Sequence, residues 1–577
     1  MSGDEDVELG LDTYVDALFH RWLKFSPERR TLSQVGENHT KWRDVTPAGI
    51  QRELQFLRTE REAIKSAFDP AVMDVGERRL FELVVYDLDT AQKQLEFNDV
   101  TYAAVPVGVS EVLVITQILA AARLHSPEDY VVRLENLGAH LGNIDANLKK
   151  QIEREVIPPS RSVSRMAASL RTMLKGYLLG HGDEPCKPLR DLMRLTEDAG
   201  LVERAEVALA AGVGPALQAL IATVESISSA PDEEIGVHRV PEGPELYRAA
   251  IAHHTQTEWS AEEIHALGKQ EVERTKQRVR QVMSEVGFNG DIDDFFNYMR
   301  NSDEFQFGEG DEARERHLDY TQTLLERVKL TLPDFFNILP KADCQVERMP
   351  EPMEAADFPI AMAQPAPPDG SRPGKHLLNQ SKMADHATYI QDALLVHESL
   401  PGHVMQFAVA QESERVSDYQ RLRPYDTAYA EGWALYCETL ADEMGIYQTA
   451  YDRYGWYTMD LWRCCRLVVD TGIHALGWTR QQAIDYMVAN TSLPLGQIEN
   501  EVDRYAEWPA QALGYKIGAL RLMEIRKAAE ERLGEHFDLK AFHDEVLVNG
   551  PLPIPMLEQT IQAWCEQVLE ATGTNHD

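Results

Sequence analysis

The sequence predicts a mainly α-helical protein with one small β-sheet, and three observations predict it. Apolar residues recur at three- and four-residue steps over most of the chain, one stretch between about 341 and 380 loses that period, and 577 residues can bury a large core as two lobes or one helical body. The helical period begins with "TYVDALFHRWLKF" and continues through "IQRELQFLRTEREAIKSAF", "RRLFELVVYDLDTAQKQLEF" and "YVVRLENLGAHLGNIDANLKKQIEREV". A boundary near 240 divides an N-terminal helical region, 1–240, from a region 241–577 whose first helix opens on the capping pair Ser260 and Glu263 and ends at Gly287. The stretch "DCQVERMPEPMEAADFPIAMAQPAPPDGSRPGKHLLNQ" is rich in Pro and Gly with short apolar runs between turn signals, which predicts loops and a few short strands. Helical pattern resumes near 384 and persists almost to the end.

With 57 basic and 94 acidic residues the net charge is −37, a field that repels nucleic acid and anionic membrane and favours a neutral or cationic partner. Six cysteines show no C-x-x-C spacing, as expected of free thiols in a reducing compartment. The acidic start "MSGDEDVELGLD" lacks the pattern of a signal peptide, so the expectation is a cytoplasmic protein. Two apolar stretches, 207–224 and 102–122, are interrupted by Gly and Pro and read as helices of a soluble protein rather than as membrane spans.

Chemistry concentrates in three places. The first is "LLVHESLPGHVMQ" (394–406), where His397-Glu398 is followed by His403 at six residues instead of the four of a helical zinc motif. Six residues would leave the imidazoles about 120° apart in direction and about 9 Å apart along an unbroken helix. Pro401 removes a helical donor and clashes with the preceding turn, and Gly402 admits unusual dihedrals, so the pair predicts a break after about Leu400 that swings His403 back toward His397.

The second place is "YAEGWALYCETLADEMG" (429–445), which puts Glu431, Glu438 and Asp442 on one helix face. A plain acidic face is the alternative. Glu431 follows His403 by 28 residues, enough for a helix, a turn and a returning helix that brings a third ligand. Two imidazoles and a carboxylate form the His₂Glu set of a catalytic zinc site, and Glu438 is placed to orient one ligand. The third place pairs "DLWRCCRLVVDTGIHALG" with "ENEVDRYAEWPAQALGYKIGALR". Arg463, Arg466, Asp470 and His474 fall in one arc, either as a structural ion-pair strip or as part of the site, and Arg504, Tyr505, Tyr515 and Lys516 supply donors for an oxyanion or a substrate carboxylate.

"HESLPGHVMQ", "EGWALYCETLADEMG", "LWRCCRLVVDTGIHALGW" and "EVDRYAEWPAQALGYKIG", in this order, resemble the DUF885 family, an M3-like group within the zincin metallopeptidase clan. The resemblance implies a two-lobed, zincin-like helical fold with a deep cleft and the small sheet near the active site. It implies one zinc ion, or another divalent metal, held by His397, His403 and Glu431, with Glu398 as general base. Tyr515 is matched to the tyrosine that stabilises the tetrahedral intermediate in oligopeptidases of similar build. Strand "GKHLLNQ" (374–380) is matched to the edge that pairs with the substrate backbone. The expected activity is hydrolysis of short peptides. Rival expectations are a metal-dependent hydrolase or lyase acting on a non-peptide amide or amino-acid conjugate, and a catalytically inactive helical scaffold. A di-iron carboxylate enzyme needs two Glu-x-x-His motifs, and only Glu262 with His265 resembles one.

Overall fold

The computed structural model describes residues 10–35, 39–102, 111–180, 184–227, 231, 233–350, 354, 359–367 and 372–573. Residues 103–110 of the second apolar stretch, and several in the Pro-rich segment, lie outside the described set. The chain divides into two compact units, 1–249 with 506–508, and 250–505 with 509–577.

The first unit is built on the helix Pro127–Glu153, which starts at an N-cap where Ser126 accepts from the Asp129 amide. Its buried stripe, Tyr130, Leu134, Leu137, Leu141, Ile144 and Leu148, meets Leu209, Val213, Leu217 and Leu220. Those four belong to the helical stretch Ala199–Glu225, which alone among the described residues is long and apolar enough to cross a membrane by length and composition.

The second unit is helical around a three-stranded sheet. Helix α1, Ala261–Glu285, carries the reciprocal Ser260–Glu263 capping box and is followed by Gly287 at φ 69°, as the sequence predicts. Strands β1 (Cys344–Arg348), β2 (Ala361–Gln364) and β3 (Gly374–Leu378) come from the Pro-rich segment. Their order is β1-β3-β2, with β1 parallel and β2 antiparallel to β3. The expectation that 374–380 forms an edge is therefore corrected: β3 is the central strand and β2 an edge. Lone sequence periodicity could not decide this, because strand order depends on pairings made across long loops.

Helices α2 (Gln391–Glu398), α3 (His403–Glu412), α4 (Thr427–Glu443), α5 (Ala450–His474), α6 (Leu495–Glu507) and α7 (Leu513–Leu533) complete the frame. From Thr458 to His474 every residue of α5 is buried, so α5 is the central post of this unit and its polar side chains must be paired internally. Helices α4 and α7 cross with their backbones in contact. A Cβ on Gly432 would lie 2.5 Å from the Gly518 carbonyl carbon, and one on Gly518 2.0 Å from the Ala428 oxygen. Only hydrogen at both positions lets the axes approach this closely.

Candidate metal centre

The break in the zinc-motif helix is present. Helix α2 ends at Glu398, and α3 begins at His403, with Ser399 at φ −108°, ψ −104° and Gly402 at φ −69°, ψ −136° between them. The interruption thus starts two residues earlier than expected. Ser399 still donates its amide and hydroxyl to the Leu395 carbonyl, so the α2 end is closed before the chain turns away. Gly402 passes so near the preceding turn that a Cβ would sit 1.9 Å from the His397 oxygen, which excludes any side chain there. The bulge is fastened from α4, where Trp433 Nε1 donates to the Pro401 carbonyl at 2.9 Å.

This path brings three ligand atoms together. Glu431 Oε2 lies 3.4 Å from His397 Nε2 and 3.3 Å from His403 Nε2, and the ligand atoms of the three residues all fall within 4.8 Å of one another. Bonds of about 2.0–2.1 Å meeting at tetrahedral angles separate two zinc ligands by about 3.3–3.4 Å. Glu431 Oε2 is moreover a buried oxygen with no hydrogen-bond partner among the described residues. A buried anionic oxygen without a donor calls for a cation, so the donor set fits a divalent metal on geometry and on charge.

The surroundings orient the ligands. His397 Nδ1 donates to Glu438 Oε1 at 2.8 Å, which orients the ring with Nε2 facing Glu431. Glu438 is itself held by Arg463, with Nη2 3.6 Å from Oε1. Burial alone would push the His397 pKa down, but the Glu431 and Glu438 carboxylates outweigh it and raise it to about 9. Burial would likewise raise the Glu431 carboxyl, yet the two imidazoles hold it well below the usual carboxylate range. The ring of His403 stacks on Phe407 at 5.5 Å, which limits its rotation.

Glu398 sits at the end of α2, and its Oε2 accepts the backbone amide of Ala363 at 2.9 Å. Ala363 lies on β2, and the bond from the Asn379 amide to the Ile360 carbonyl sets the phase of the β2–β3 ladder. In that phase Ala361 and Ala363 turn their amide and carbonyl groups away from β3, toward the outer edge. Nothing in the sequence singles out Ala363, because a backbone donor leaves no side-chain signal.

Tyr515 stands in the first turn of α7, one turn before the Gly432–Gly518 crossing that carries Glu431 on the other helix. Burial and the Glu431 charge raise its phenol pKa, against the pull of Arg504 and Arg466, which keeps it a proton donor at neutral pH. The other sequence candidates are engaged inside the fold. Asp470 accepts from the Ala510 amide, and His474 Nε2 donates to the Tyr505 carbonyl at 2.9 Å. The Tyr505 hydroxyl receives Trp462 Nε1 and Arg466 Nε, each at 3.0 Å. Lys516 pairs with Asp460 at 2.6 Å and Glu271 at 3.3 Å. Arg504 is held by Glu501 and by Gln511 Oε1. The groups expected from the sequence to support the site or bind substrate, Asp470, His474, Arg504, Tyr505 and Lys516, are thus hydrogen-bonded within the fold: Asp470, His474 and Lys516 link α5 to α6, α7 and α1, and Arg504 bonds within α6 and to Gln511. Asp442, unlike Glu431, is not one of the three residues whose ligand atoms converge, and Glu438 reaches that group only through His397.

The fold is shared with solved structures. A "putative lipoprotein" from Colwellia psychrerythraea matches with a TM-score of 0.86 and 23% identity, over 96% of this chain and 99% of that one. A "putative lipoprotein of unknown function" from Shewanella oneidensis matches with a TM-score of 0.69 and 18% identity, over 96% of this chain and 100% of that one. No curated protein matches the sequence. The family model described as "Bacterial protein of unknown function (DUF885)" matches residues 27–561, and with nearly the whole chain covered the protein belongs to that family.

Proposed function

We propose that the protein is a zinc-dependent hydrolase of short peptides. The observation that carries the proposal is the pair of 3.3–3.4 Å separations around Glu431 Oε2, with Glu398 next to His397 in the chain. His397, His403 and Glu431 would hold the ion. When bound, zinc lowers the pKa of water to about 7 and polarises a carbonyl. Glu398 has one oxygen pinned by Ala363 and the other free, so it takes a proton from the attacking water and passes it to the leaving amine. The Tyr515 hydroxyl donates to the oxygen that gains charge at the scissile carbon. The outward amide and carbonyl of Ala361, with the Ala363 carbonyl, offer an extended substrate a backbone ladder.

Metal content of the purified protein, together with cleavage of a short-peptide library read by mass, tests this directly. Glu398→Gln should retain the metal and lose about 10²–10⁴-fold in kcat. Full activity in that variant would overturn the general-base assignment. If acyl-amino-acids are cleaved and peptides are not, the metal chemistry stands and the substrate class changes. All six cysteines are free and buried, which supports a reducing, cytoplasmic setting. The lipoprotein description belongs to the two structural neighbours, and cell fractionation decides between the two locations.

A further inference from the structure

Helix α5 sends two arginines, one turn apart, to the same side. Arg463 reaches Glu438 and, through it, His397. Arg466 has a different set of neighbours. Its guanidinium carbon lies 4.4 Å from the centroid of the Trp462 ring and 4.3 Å from that of Tyr515. Its Nε donates to the Tyr505 hydroxyl at 3.0 Å and its Nη2 to Glu501 Oε2 at 2.9 Å. Nη1 is buried with no hydrogen-bond acceptor among the described residues, so ring contact is what that end of the group has there. The same Tyr505 hydroxyl takes Trp462 Nε1, and the same Glu501 holds Arg504, whose Nη1 reaches Gln511 just before α7.

We propose that Arg466 is a positioning residue for Tyr515, a planar cation tied at its edge to Tyr505 and Glu501 that fixes the phenol ring beside the His397–His403–Glu431 group. The argument rests on Tyr515 being the oxyanion donor proposed above. A phenol on the first turn of a helix can swing about two side-chain torsions, and a donor that swings must be ordered again in each transition state. A guanidinium stacked on the ring removes that freedom, and its charge near the π face strengthens the O–H as a donor. Lysine cannot replace it, because a tetrahedral ammonium neither stacks on a ring nor keeps the Tyr505 and Glu501 bonds in one plane. The bonds inventoried around α5 thus have two outcomes: those of Asp470, His474 and Lys516 fasten helices, while the Arg466 set ends on a side chain of the site.

The test is a double-mutant cycle on the zinc-loaded full chain with Arg466→Met, Tyr515→Phe and both changes, joined by a spectroscopic arm. Arg466→Met should lower kcat by about tenfold or more, up to the 10²–10³-fold typical of losing an oxyanion donor, at unchanged zinc content. In the Tyr515→Phe background the same change should have little further effect. An equal loss in both backgrounds, or no loss in either, overturns the proposal. Arg466→Lys keeps the charge facing Glu501 and serves if Arg466→Met fails to fold; it should show the same dependence on Tyr515. The second arm places 3-fluorotyrosine at 515 and reads its ¹⁹F resonance, which should move and broaden in Arg466→Lys. An unchanged resonance sinks the positioning role whatever the activity. A wild-type protein that cleaves no peptide would defeat the functional reading and leave the ¹⁹F result to decide the contact.

Discussion

Two groups of buried histidines lie in the same unit and behave in opposite ways. His397 has Glu431 and Glu438 beside it, and its pKa rises to about 9. His317, His376 and His386, around β3 and the start of α2, have no carboxylate partner among the described residues. His317 Nε2 meets Gln391 Oε1 at 2.8 Å, His386 Nε2 meets the Asn379 carbonyl at 2.6 Å, and His376 has no hydrogen-bond partner on either nitrogen. Burial pushes all three down, His376 and His386 to about 3. Both groups are buried and rich in imidazole, so burial and histidine content do not by themselves mark a candidate metal centre. Carboxylates set the proposed centre apart, by giving it a negative charge that a cation would balance.

The comparison breaks most visibly by removing a carboxylate or an imidazole from the first group. Glu431→Ala or His397→Ala should abolish both stoichiometric metal and hydrolysis, measured by elemental analysis and peptide cleavage. Full metal occupancy in either variant would move the centre elsewhere. A smaller effect is expected from Glu438→Gln, which leaves the ligands but removes the acceptor of the His397 Nδ1 proton. Metal affinity should fall about 10–100-fold by competition with a chelator.

The second group should respond to acid instead of metal. His376 binds a proton in the unfolded chain below pH 6.5 but in the folded protein only near 3. Its neutral burial therefore leaves stability untouched above pH 6.5. As the pH falls from 6.5 toward 3 the unfolded state gains the proton first, and stability drops by up to about 1.4 kcal/mol per pH unit. His376→Leu should shallow that acid limb in urea titrations at pH 7, 5 and 4, with metal content unchanged. An unaltered acid limb would show that the imidazole is not neutral in the fold.

Much of this was legible in the residues. The broken helix follows from Pro401 and Gly402, because a missing donor and a missing Cβ are local facts that need no knowledge of the fold. Glu431 was picked out by its 28-residue distance from His403 and Glu438 by lying two turns further on, while the helix face by itself offers them and Asp442 alike. The roles of Asp470, His474 and Lys516 were not separable from that of Arg466, for buried polar groups look the same in sequence whichever neighbour they meet. The edge of the sheet was misassigned because pairing order is set by chain crossings, and the Ala363 amide could not be found at all, as every residue but proline has one.

The crossing of α4 and α7 has a consequence for how this centre tolerates change. Glu431 and Tyr515 hang from two helices whose spacing is set at Gly432 and Gly518, positions that carry no chemistry of their own. The gap between the proposed metal ligand and the proposed proton donor is therefore held by the lack of two methyl groups. One carbon added at either glycine would widen it while every reactive side chain stayed in the sequence. A survey of relatives that scores only histidines, glutamates and the tyrosine would count such a chain as intact; the two glycines are the cheaper and stricter criterion.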